Sequence, residues 1–125
     1  MTPCRRILVV EDERNMRTLI RHVLTASGYI VDVVQDGLLA QDMLRKIRYA
    51  IVITDVMMPG MDGIELCIWI RDRIGLETLP VIMLSSGAQQ EDRERGLEAG
   101  ANDYISKPFD VSHFVDTIAA IVPKD

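Results

Sequence analysis

The sequence lacks a cysteine framework, a long apolar run and an excess of basic residues. Its two cysteines, Cys4 and Cys67, have neither the spacing of a metal site nor that of a redox motif. No apolar run approaches the roughly 20 residues that a membrane span needs. The first apolar run covers only residues 7–10, which is too short for the core of a signal peptide. We therefore expect two free thiols and a soluble, cytoplasmic protein.

Acidic residues outnumber basic ones. Nineteen Asp and Glu side chains against fourteen Lys and Arg give a formal net charge of -5, which argues against direct nucleic-acid binding. Hydrophobic residues make up 48% of the chain and charged residues 26%, the balance of an ordinary globular protein. The chain has 125 residues and no linker, repeat or low-complexity tract, so we predict one domain over residues 1–125.

Five short apolar segments alternate with five segments of helical character. The predicted strands cover about residues 6–10, 30–34, 50–54, 80–85 and 103–106. The helical segments include residues 14–26, 89–98 and 111–121. Several strands are continuous Val, Ile and Leu runs, which is typical of parallel strands covered on both faces. The alternation predicts an α/β protein with a doubly wound parallel sheet and helices on both sides.

The helical segments carry start and stop signals. The first has one apolar stripe, formed by Met16, Leu19, Ile20, Val23 and Leu24. Gly28 suits a left-handed cap that ends this helix. Asp36 opens the second helix, and Asp62 with Glu65 resembles a capping box for the third.

One flank of the third helix has two interpretations. Its predicted buried stripe consists of Leu66, Cys67, Ile70 and Ile74, which leaves Ile68 and Trp69 toward solvent. A small docking patch and a flank half covered by neighbouring side chains both fit this pattern, and we favour the second.

Polar residues follow the apolar runs of four of the predicted strands. Glu11 and Asp12 follow the first, Asp55 the third, Ser85 the fourth and Lys107 the fifth. Ligands of such sheets bind beyond the carboxyl ends of the strands, where the strand order reverses. With the order 2-1-3-4-5, that reversal lies between the first and third strands. Clustered carboxylates repel one another unless a cation joins them, and a carboxylate beside a cation and a lysine can accept a phosphoryl group.

Four longer stretches stand around these strand ends. They are Ile7-Leu8-Val9-Val10-Glu11-Asp12, Thr54-Asp55-Val56-Met57-Met58-Pro59-Gly60-Met61-Asp62-Gly63, Pro80-Val81-Ile82-Met83-Leu84-Ser85 and Gly100-Ala101-Asn102-Asp103-Tyr104-Ile105-Ser106-Lys107-Pro108-Phe109. In their order, separations and elements they resemble the receiver domain of two-component response regulators, along essentially the whole chain. The resemblance implies a single flavodoxin-like (βα)5 domain with strand order 2-1-3-4-5.

The resemblance implies an acceptor and a metal site. Asp55 is the expected phosphoacceptor, and Lys107 is expected to pair with it or with the phosphate. Mg²⁺, with Mn²⁺ as an alternative ion, would be held by Glu11, Asp12, Asp55 and the backbone carbonyl of Met57. Oxygen ligands of this kind are the ones that Mg²⁺ prefers.

The resemblance also implies a conformational switch. Ser85 would bind the phosphoryl group, and its movement would let the Tyr104 ring turn inward. The face made by the fourth helix, fifth strand and fifth helix would change as a result. The peptide bond between Lys107 and Pro108 is expected to be cis.

The expected partners follow from the same resemblance. The phosphoryl donor would be a phosphohistidine on a sensor histidine kinase or a histidine phosphotransfer protein. The output would pass to a downstream protein or a fused output domain, and the chain would be a monomer or a phosphorylation-dependent dimer. A single-domain regulator and the receiver of a longer protein both fit the sequence. The protein would not be an enzyme beyond catalysing its own phosphorylation and slow dephosphorylation.

Two further positions predict the lifetime of the phosphorylated form. Met57 lies two residues after the acceptor, and Gly87 lies two residues after Ser85. Neither offers a side chain that could orient an attacking water. We therefore predict slow self-dephosphorylation and a long-lived signal.

Three other functions are weighed against this one. A phosphatase of the haloacid-dehalogenase type needs a second acid two residues after its aspartate, where this chain has Met57. A flavodoxin-type flavin carrier needs a phosphate loop after the first strand, where Glu11, Asp12 and Glu13 would repel the flavin phosphate. A pseudo-receiver that binds partners without phosphorylation usually lacks some of the acidic or lysine residues, all of which this chain has.

Overall fold

The computed structural model describes residues 4–73, 75–86 and 90–123. Strands and helices alternate along the chain as predicted. In order they are β1 Arg6–Val10, α1 Arg14–Ala26, β2 Ile30–Val34, α2 Gly37–Lys46, β3 Ile51–Asp55, α3 Gly63–Asp72, β4 Val81–Ser85, α4 Gln90–Glu98, β5 Asp103–Ser106 and α5 Val111–Ile121. The strands form one parallel sheet in the order β2-β1-β3-β4-β5, which confirms the predicted fold class and strand order.

The core lies on both faces of the sheet, because successive residues of a strand point to opposite sides. On one face Leu8 and Val52 pack with the buried residues of α2 and α3. On the other face Ile7 and Ile53 pack with the buried residues of α1 and α5. Residues 7–10 of β1 are completely buried, as a strand between two helical layers must be. This packing holds the carboxyl ends of the strands together at one edge.

The predicted caps are confirmed, and the apolar stripe of α1 is narrower than expected. Gly28 has a φ of 97° just after α1, a backbone conformation that residues other than glycine rarely adopt. The Asp36 side chain accepts the amide of Leu39, and α3 begins with the complete capping box of Asp62 and Glu65. Leu19 was expected in the buried stripe but is 42% exposed, because it lies at the solvent margin of that stripe.

Two site residues are the last residues of their strands. Asp55 ends β3, one residue beyond the predicted strand 50–54, and Ser85 ends β4, as it ends the predicted strand 80–85. In β3 the extra residue belongs to the strand because the backbone pairing continues. Asp55 is in register with Leu84, and Ser85 with Ser106.

The flank of α3 is partly covered by arginines. Ile68 is exposed, whereas Trp69 is half-buried. The guanidinium groups of Arg45 and Arg73 lie 5.4 Å and 4.8 Å from the centre of the Trp69 ring, within cation–π distance. Among the described residues, no helix has the length and apolarity that crossing a bilayer requires.

Candidate functional site

A cleft of about 230 Å³ opens at the carboxyl ends of β1, β3 and β4. It is lined by Glu11, Asp12, Glu13, Asp55, Met57, Leu84, Ser85, Ser86 and Lys107. All five polar residues predicted from the strand ends therefore meet in one place. The cleft lies at the reversal of strand order between β1 and β3, where ligands of such sheets bind.

Asp55 lies at the bottom of this cleft. Its side chain is only 5% exposed, and the ammonium of Lys107 lies 2.5 Å from Oδ1 as an ion pair. Neither carboxylate oxygen has a hydrogen-bond partner among the described residues. A buried carboxylate with open coordination positions is costly unless another cation or a proton compensates its charge. The geometry thus leaves Asp55 oxygens available for a ligand.

Glu11 is completely buried beside Asp55 and holds Lys107 in place. Its Oε1 accepts from Lys107 Nζ at 2.6 Å, and its Oε2 accepts from the backbone amide of Glu13 at 3.0 Å. The guanidinium of Arg17 donates to the backbone carbonyls of Glu11 and Asp12, at 2.9 Å and 3.0 Å. The turn after β1 is therefore fixed by hydrogen bonds on both sides, while the Asp12 side chain stays exposed.

The two buried carboxyl groups have opposite shifts in pKa. Burial, together with the nearby charge of Glu11, raises the pKa of Asp55 from 3.8 to about 8. Burial also acts to raise the pKa of Glu11, but its interactions with the nearby Asp55 carboxyl group and with Lys107, and the hydrogen bond from the Glu13 amide, outweigh burial and hold that pKa below its usual value. Asp55 is therefore the carboxyl group that takes up a proton at neutral pH when no cation is bound.

The chemistry of the cleft fits a hard divalent cation. Glu11, Asp12 and Asp55 each offer a carboxylate oxygen, and these oxygens lie within 4.8 Å of one another. Three carboxylates face one ammonium in the immediate site, so the negative charge exceeds the positive charge. An all-oxygen ligand set of this kind suits Mg²⁺, which binds one or two carboxylates and keeps several waters.

The other predicted residues are placed around this centre. Ser85 is buried, and its carbonyl accepts from the Lys107 amide at 2.6 Å. The side chain of Met57 is exposed at the edge of the cleft. Tyr104 is half-buried on β5 and packs against the core rather than lining the cleft. The Lys107–Pro108 peptide bond is cis. Gly87, predicted to affect dephosphorylation, and Ile74, predicted in the buried stripe of the third helix, lie outside the described residues.

Three residues of the site were not predicted. Glu13 caps α1 through both carboxylate oxygens, and Arg17 binds the turn after β1. A Cβ on Gly63 would lie 1.9 Å from the backbone oxygen of Asp55, so α3 starts in direct contact with the end of β3. The only signal for Gly63 was its place in the stretch that follows Asp55, and no sequence pattern pointed to Arg17.

Comparison with known proteins gives close relatives along the whole chain. The transcriptional regulatory protein CseB of Streptomyces coelicolor is 43% identical over 116 residues, which cover 93% of this chain and 48% of that protein. The phosphate regulon transcriptional regulatory protein PhoB of Rhizobium meliloti is 39% identical over 117 residues, covering 94% of this chain and 52% of that protein. The chain thus spans about half the length of the curated relatives it matches.

Solved structures share the fold at high similarity. The receiver domain of the sensor histidine kinase PA1611 from Pseudomonas aeruginosa is 33% identical, with a TM-score of 0.88 and coverage of 96% of this chain and 98% of that one. That structure has a magnesium ion coordinated in its active site cleft. The chemotaxis protein CheY4 of Vibrio cholerae is 28% identical, with a TM-score of 0.90 and coverage of 95% and 99%.

The family assignment agrees with the site geometry. The sequence profile of the response regulator receiver domain matches residues 7–119, which include every element except the first residue of β1 and the last residues of α5. The relatives and structural neighbours of this chain are response regulators and receiver domains. The chain belongs to the response regulator receiver domain family of two-component systems, whose members are phosphorylation-controlled signalling proteins.

Proposed function

We propose that residues 1–125 form one receiver domain that takes a phosphoryl group from a phosphohistidine onto Asp55. The observation that carries this proposal is the buried Asp55 carboxylate, which faces an open cleft with no hydrogen-bond partner among the described residues and with Lys107 beside it. The donor would be a sensor histidine kinase or a histidine phosphotransfer protein. The chain would catalyse its own phosphorylation and a slow self-dephosphorylation, and no other reaction.

The transfer is a displacement at phosphorus. An oxygen of the Asp55 carboxylate attacks the phosphorus atom, a P–O bond forms, and the P–N bond to the donor histidine breaks with its electron pair remaining on the imidazole. Lys107 offers positive charge on one side of the transferred group, and the Ser85 hydroxyl offers a hydrogen bond. Catalysis of this kind rests on positioning and on neutralising the charge of the equatorial oxygens.

A divalent cation would complete the charge balance of the cleft. Glu11, Asp12, Asp55 and the backbone carbonyl of Met57 would hold Mg²⁺, and Mn²⁺ would suit the same oxygen ligands. When bound, the ion would supply positive charge to the phosphoryl oxygens in addition to that of Lys107. Two hydrogen bonds fix the buried Glu11 carboxylate beside the cleft. Lys107 donates to its Oε1, and the backbone amide of Glu13 donates to its Oε2.

Phosphorylation would act through the strand ends that touch the phosphate. A phosphate on Asp55 adds roughly -1.5 to -2 charge, which attracts Ser85 and Lys107. Movement of Ser85 would let the Tyr104 ring turn inward and alter the face made by α4, β5 and α5. Changing a two-state equilibrium from about 1:99 to 99:1 needs roughly 5.5 kcal/mol, which several charge-assisted contacts to one phosphate can supply.

The output would pass through a protein partner in the cytoplasm. Relatives such as CseB and PhoB are named as transcriptional regulatory proteins, and the match covers about half of each. A downstream protein or a fused output domain would read the altered face, with this chain as a monomer or a phosphorylation-dependent dimer. The net charge of -5 supports an output without direct nucleic-acid binding by the receiver itself.

The direct test is phosphorylation by a small donor. Wild-type protein incubated with phosphoramidate or acetyl phosphate and Mg²⁺ should gain about 80 Da by intact mass, the mass of one HPO₃ group. The adduct should require Mg²⁺ and be absent in Asp55→Asn, whereas the matched control Asp36→Asn, at the start of α2, should react as wild type does. An adduct that persists in Asp55→Asn would place the acceptor elsewhere. No adduct with these donors or with a panel of phosphorylated histidine phosphotransfer domains would favour a phosphorylation-independent binding module.

The phosphorylated form should be long-lived. The exposed Met57 side chain at the edge of the cleft has no group that can orient a water for hydrolysis. Met57→Asn and Gly87→Glu should each speed loss of the adduct, by roughly tenfold if they act as general base or orienting group. Loss of the adduct is followed by intact mass after removal of the donor, and unchanged lifetimes in both variants would contradict this explanation.

A further inference from the structure

At the amino-terminal ends of β4 and β5, away from the cleft, a reciprocal pair of hydrogen bonds joins the two strands. The backbone amide of Asn102 donates to the carbonyl of Val81 at 2.8 Å. The backbone amide of Val81 donates in turn to the side-chain Oδ1 of Asn102 at 2.9 Å. Asn102 precedes β5, so its side chain joins this strand to β4 one residue before the regular ladder starts.

Arg71 of α3 supports this pair from the adjoining helix. Its Nη2 donates to the same Oδ1 of Asn102 at 2.9 Å and to the carbonyl of Gly100 at 2.7 Å. Its Nη1 donates to the carbonyl of Leu79, just before β4. One planar guanidinium therefore ties together the segments that lead into both strands, a task that needs several donors in a fixed arrangement.

Gly100 makes room for this guanidinium. It has a φ of 109°, and a Cβ at this position would lie 2.9 Å from Cγ and Nε of Arg71. A side chain here would strain the backbone and displace the arginine as well. The glycine and the asparagine of the stretch from Gly100 to Phe109 thus serve one arrangement, which the phosphoryl chemistry of the cleft does not explain.

The register of β5 needs such a constraint. β5 has four residues at the edge of the sheet, and among them only Ile105 is buried. The burial of Ile105 determines which face of the sheet its side chain points to. A single buried side chain specifies the register of a strand only weakly, because few contacts oppose a shift along the neighbouring strand. Lys107 directly follows β5, and its amide bonds the carbonyl of Ser85 while its ammonium lies between Glu11 and Asp55.

We propose that Arg71 and Asn102 are positioning residues that fix the register of β5 on β4 and thereby place Lys107 at the acceptor. This inference rests on the proposed function of Lys107 in phosphoryl transfer. The two residues act from the far end of the strands and touch neither the acceptor nor the phosphoryl group. The oxygen ligands for Mg²⁺ lie at the ends of β1 and β3, and Glu11 keeps the hydrogen bond from the Glu13 amide when Lys107 is displaced, so the ligand set does not require this constraint.

Matched variants separate positioning from general stability. Asn102→Ala removes the acceptor that Val81 and Arg71 share, whereas Asn102→Asp keeps an oxygen in that place. Arg71→Met removes the guanidinium with little change in length. Arg73→Met is the control, because its guanidinium lies over the Trp69 ring.

Three readouts are compared in the folded variants: hydrogen exchange of the Lys107 amide, the initial rate of adduct formation with phosphoramidate, and Mg²⁺ affinity by calorimetry. In Asn102→Ala and Arg71→Met we expect exchange of the Lys107 amide to speed up about tenfold or more. The rate of phosphorylation should fall roughly tenfold to a hundredfold, because a small displacement of Lys107 is enough to impair transfer. Mg²⁺ affinity should not weaken, and Asn102→Asp and Arg73→Met should behave as wild type does.

Two results would overturn the proposal. One is a folded Asn102→Ala with wild-type exchange and rate, and the other is a fall in Mg²⁺ affinity that parallels the fall in rate. If Arg71→Met does not fold, the comparison of Asn102→Ala with Asn102→Asp decides. If wild type forms no adduct with any donor, the proposed function fails, and the exchange of the Lys107 amide alone then decides whether Arg71 and Asn102 hold the register.

Discussion

Replacing Asp55 with asparagine should stabilise the metal-free protein, and the gain should grow with pH. Burial beside Glu11 raises the pKa of Asp55 from 3.8 to about 8, whereas the unfolded chain has an ordinary aspartate. Between these two values the folded state binds more protons than the unfolded state. The free energy of unfolding therefore falls as the pH rises through this window and levels off above the raised pKa. The lowered pKa of Glu11 acts only at more acidic pH.

The size of the effect follows from one proton. Each pH unit inside the window lowers the free energy of unfolding by at most about 1.4 kcal/mol, so the ceiling between about pH 5 and pH 8 is about 4 kcal/mol. We expect about 2 kcal/mol, because water that enters the cleft solvates part of the charge on Asp55. Asparagine has no proton to lose, so this pH dependence should be absent in Asp55→Asn. Lys107 keeps Glu11 as its partner in the variant.

Urea unfolding in the presence of a chelator, at about pH 5 to pH 8, measures this difference. The control is Asp12→Asn, which removes the same formal charge from an exposed side chain and should change stability by about 0.5 kcal/mol or less. Added Mg²⁺ should stabilise wild type more at the alkaline end, because the ion binds deprotonated carboxylates. The reasoning is refuted if wild-type stability falls no more than that of Asp55→Asn across this pH range.

Three further changes test the packing and charge in and beyond the surroundings of Asp55. Gly63→Ala should lower the free energy of unfolding by about 2–3 kcal/mol in urea unfolding, because the added methyl would lie 1.9 Å from the backbone oxygen of Asp55; a neutral effect would mean that α3 shifts freely. Lys107→Met removes the cation between Glu11 and Asp55 and should cut the rate of adduct formation about a hundredfold, while an unchanged rate would remove Lys107 from the mechanism. Tyr29→Phe removes the buried hydroxyl that donates to the carbonyl of Val122, just after α5, so the free energy of unfolding should fall by about 1 kcal/mol in thermal unfolding. The Mg²⁺ affinity should stay unchanged, and a change in it would mean that this end of α5 is coupled to the cleft.

The sequence was most informative where local chemistry determines local structure. Gly28 after α1 and the pair of Asp62 and Glu65 before α3 are short-range signals, and the structure has both caps. The alternation of apolar runs and helices indicated a doubly wound parallel sheet, and the resemblance to receiver domains supplied the strand order and with it the meeting of the strand ends. Asp55 and Glu11 could therefore be placed in one cleft from the sequence.

The backbone carbonyls that long side chains contact could not be predicted from the sequence. Arg71 bonds carbonyls up to 29 residues away, and no periodicity or cap marks it as different from the exposed Arg73. Arg17 likewise lies in a helix whose other arginines, such as Arg14, are exposed. An arginine can bend its stem to many places around its Cα, so only the packed structure decides which carbonyls it meets.

The connectivity of the sheet has a consequence for when the site is assembled during folding. The pair of Lys107 and Glu11 joins residues 96 positions apart, and every strand pairing links segments separated by a whole helix. Contacts so distant along the chain slow folding, since each requires a long loop to close. A chain that has assembled only part of its sheet holds no complete set of Glu11, Asp55 and Lys107. Under the proposed function, only fully folded molecules would accept a phosphoryl group, and incompletely folded copies would not compete for the donor's phosphate.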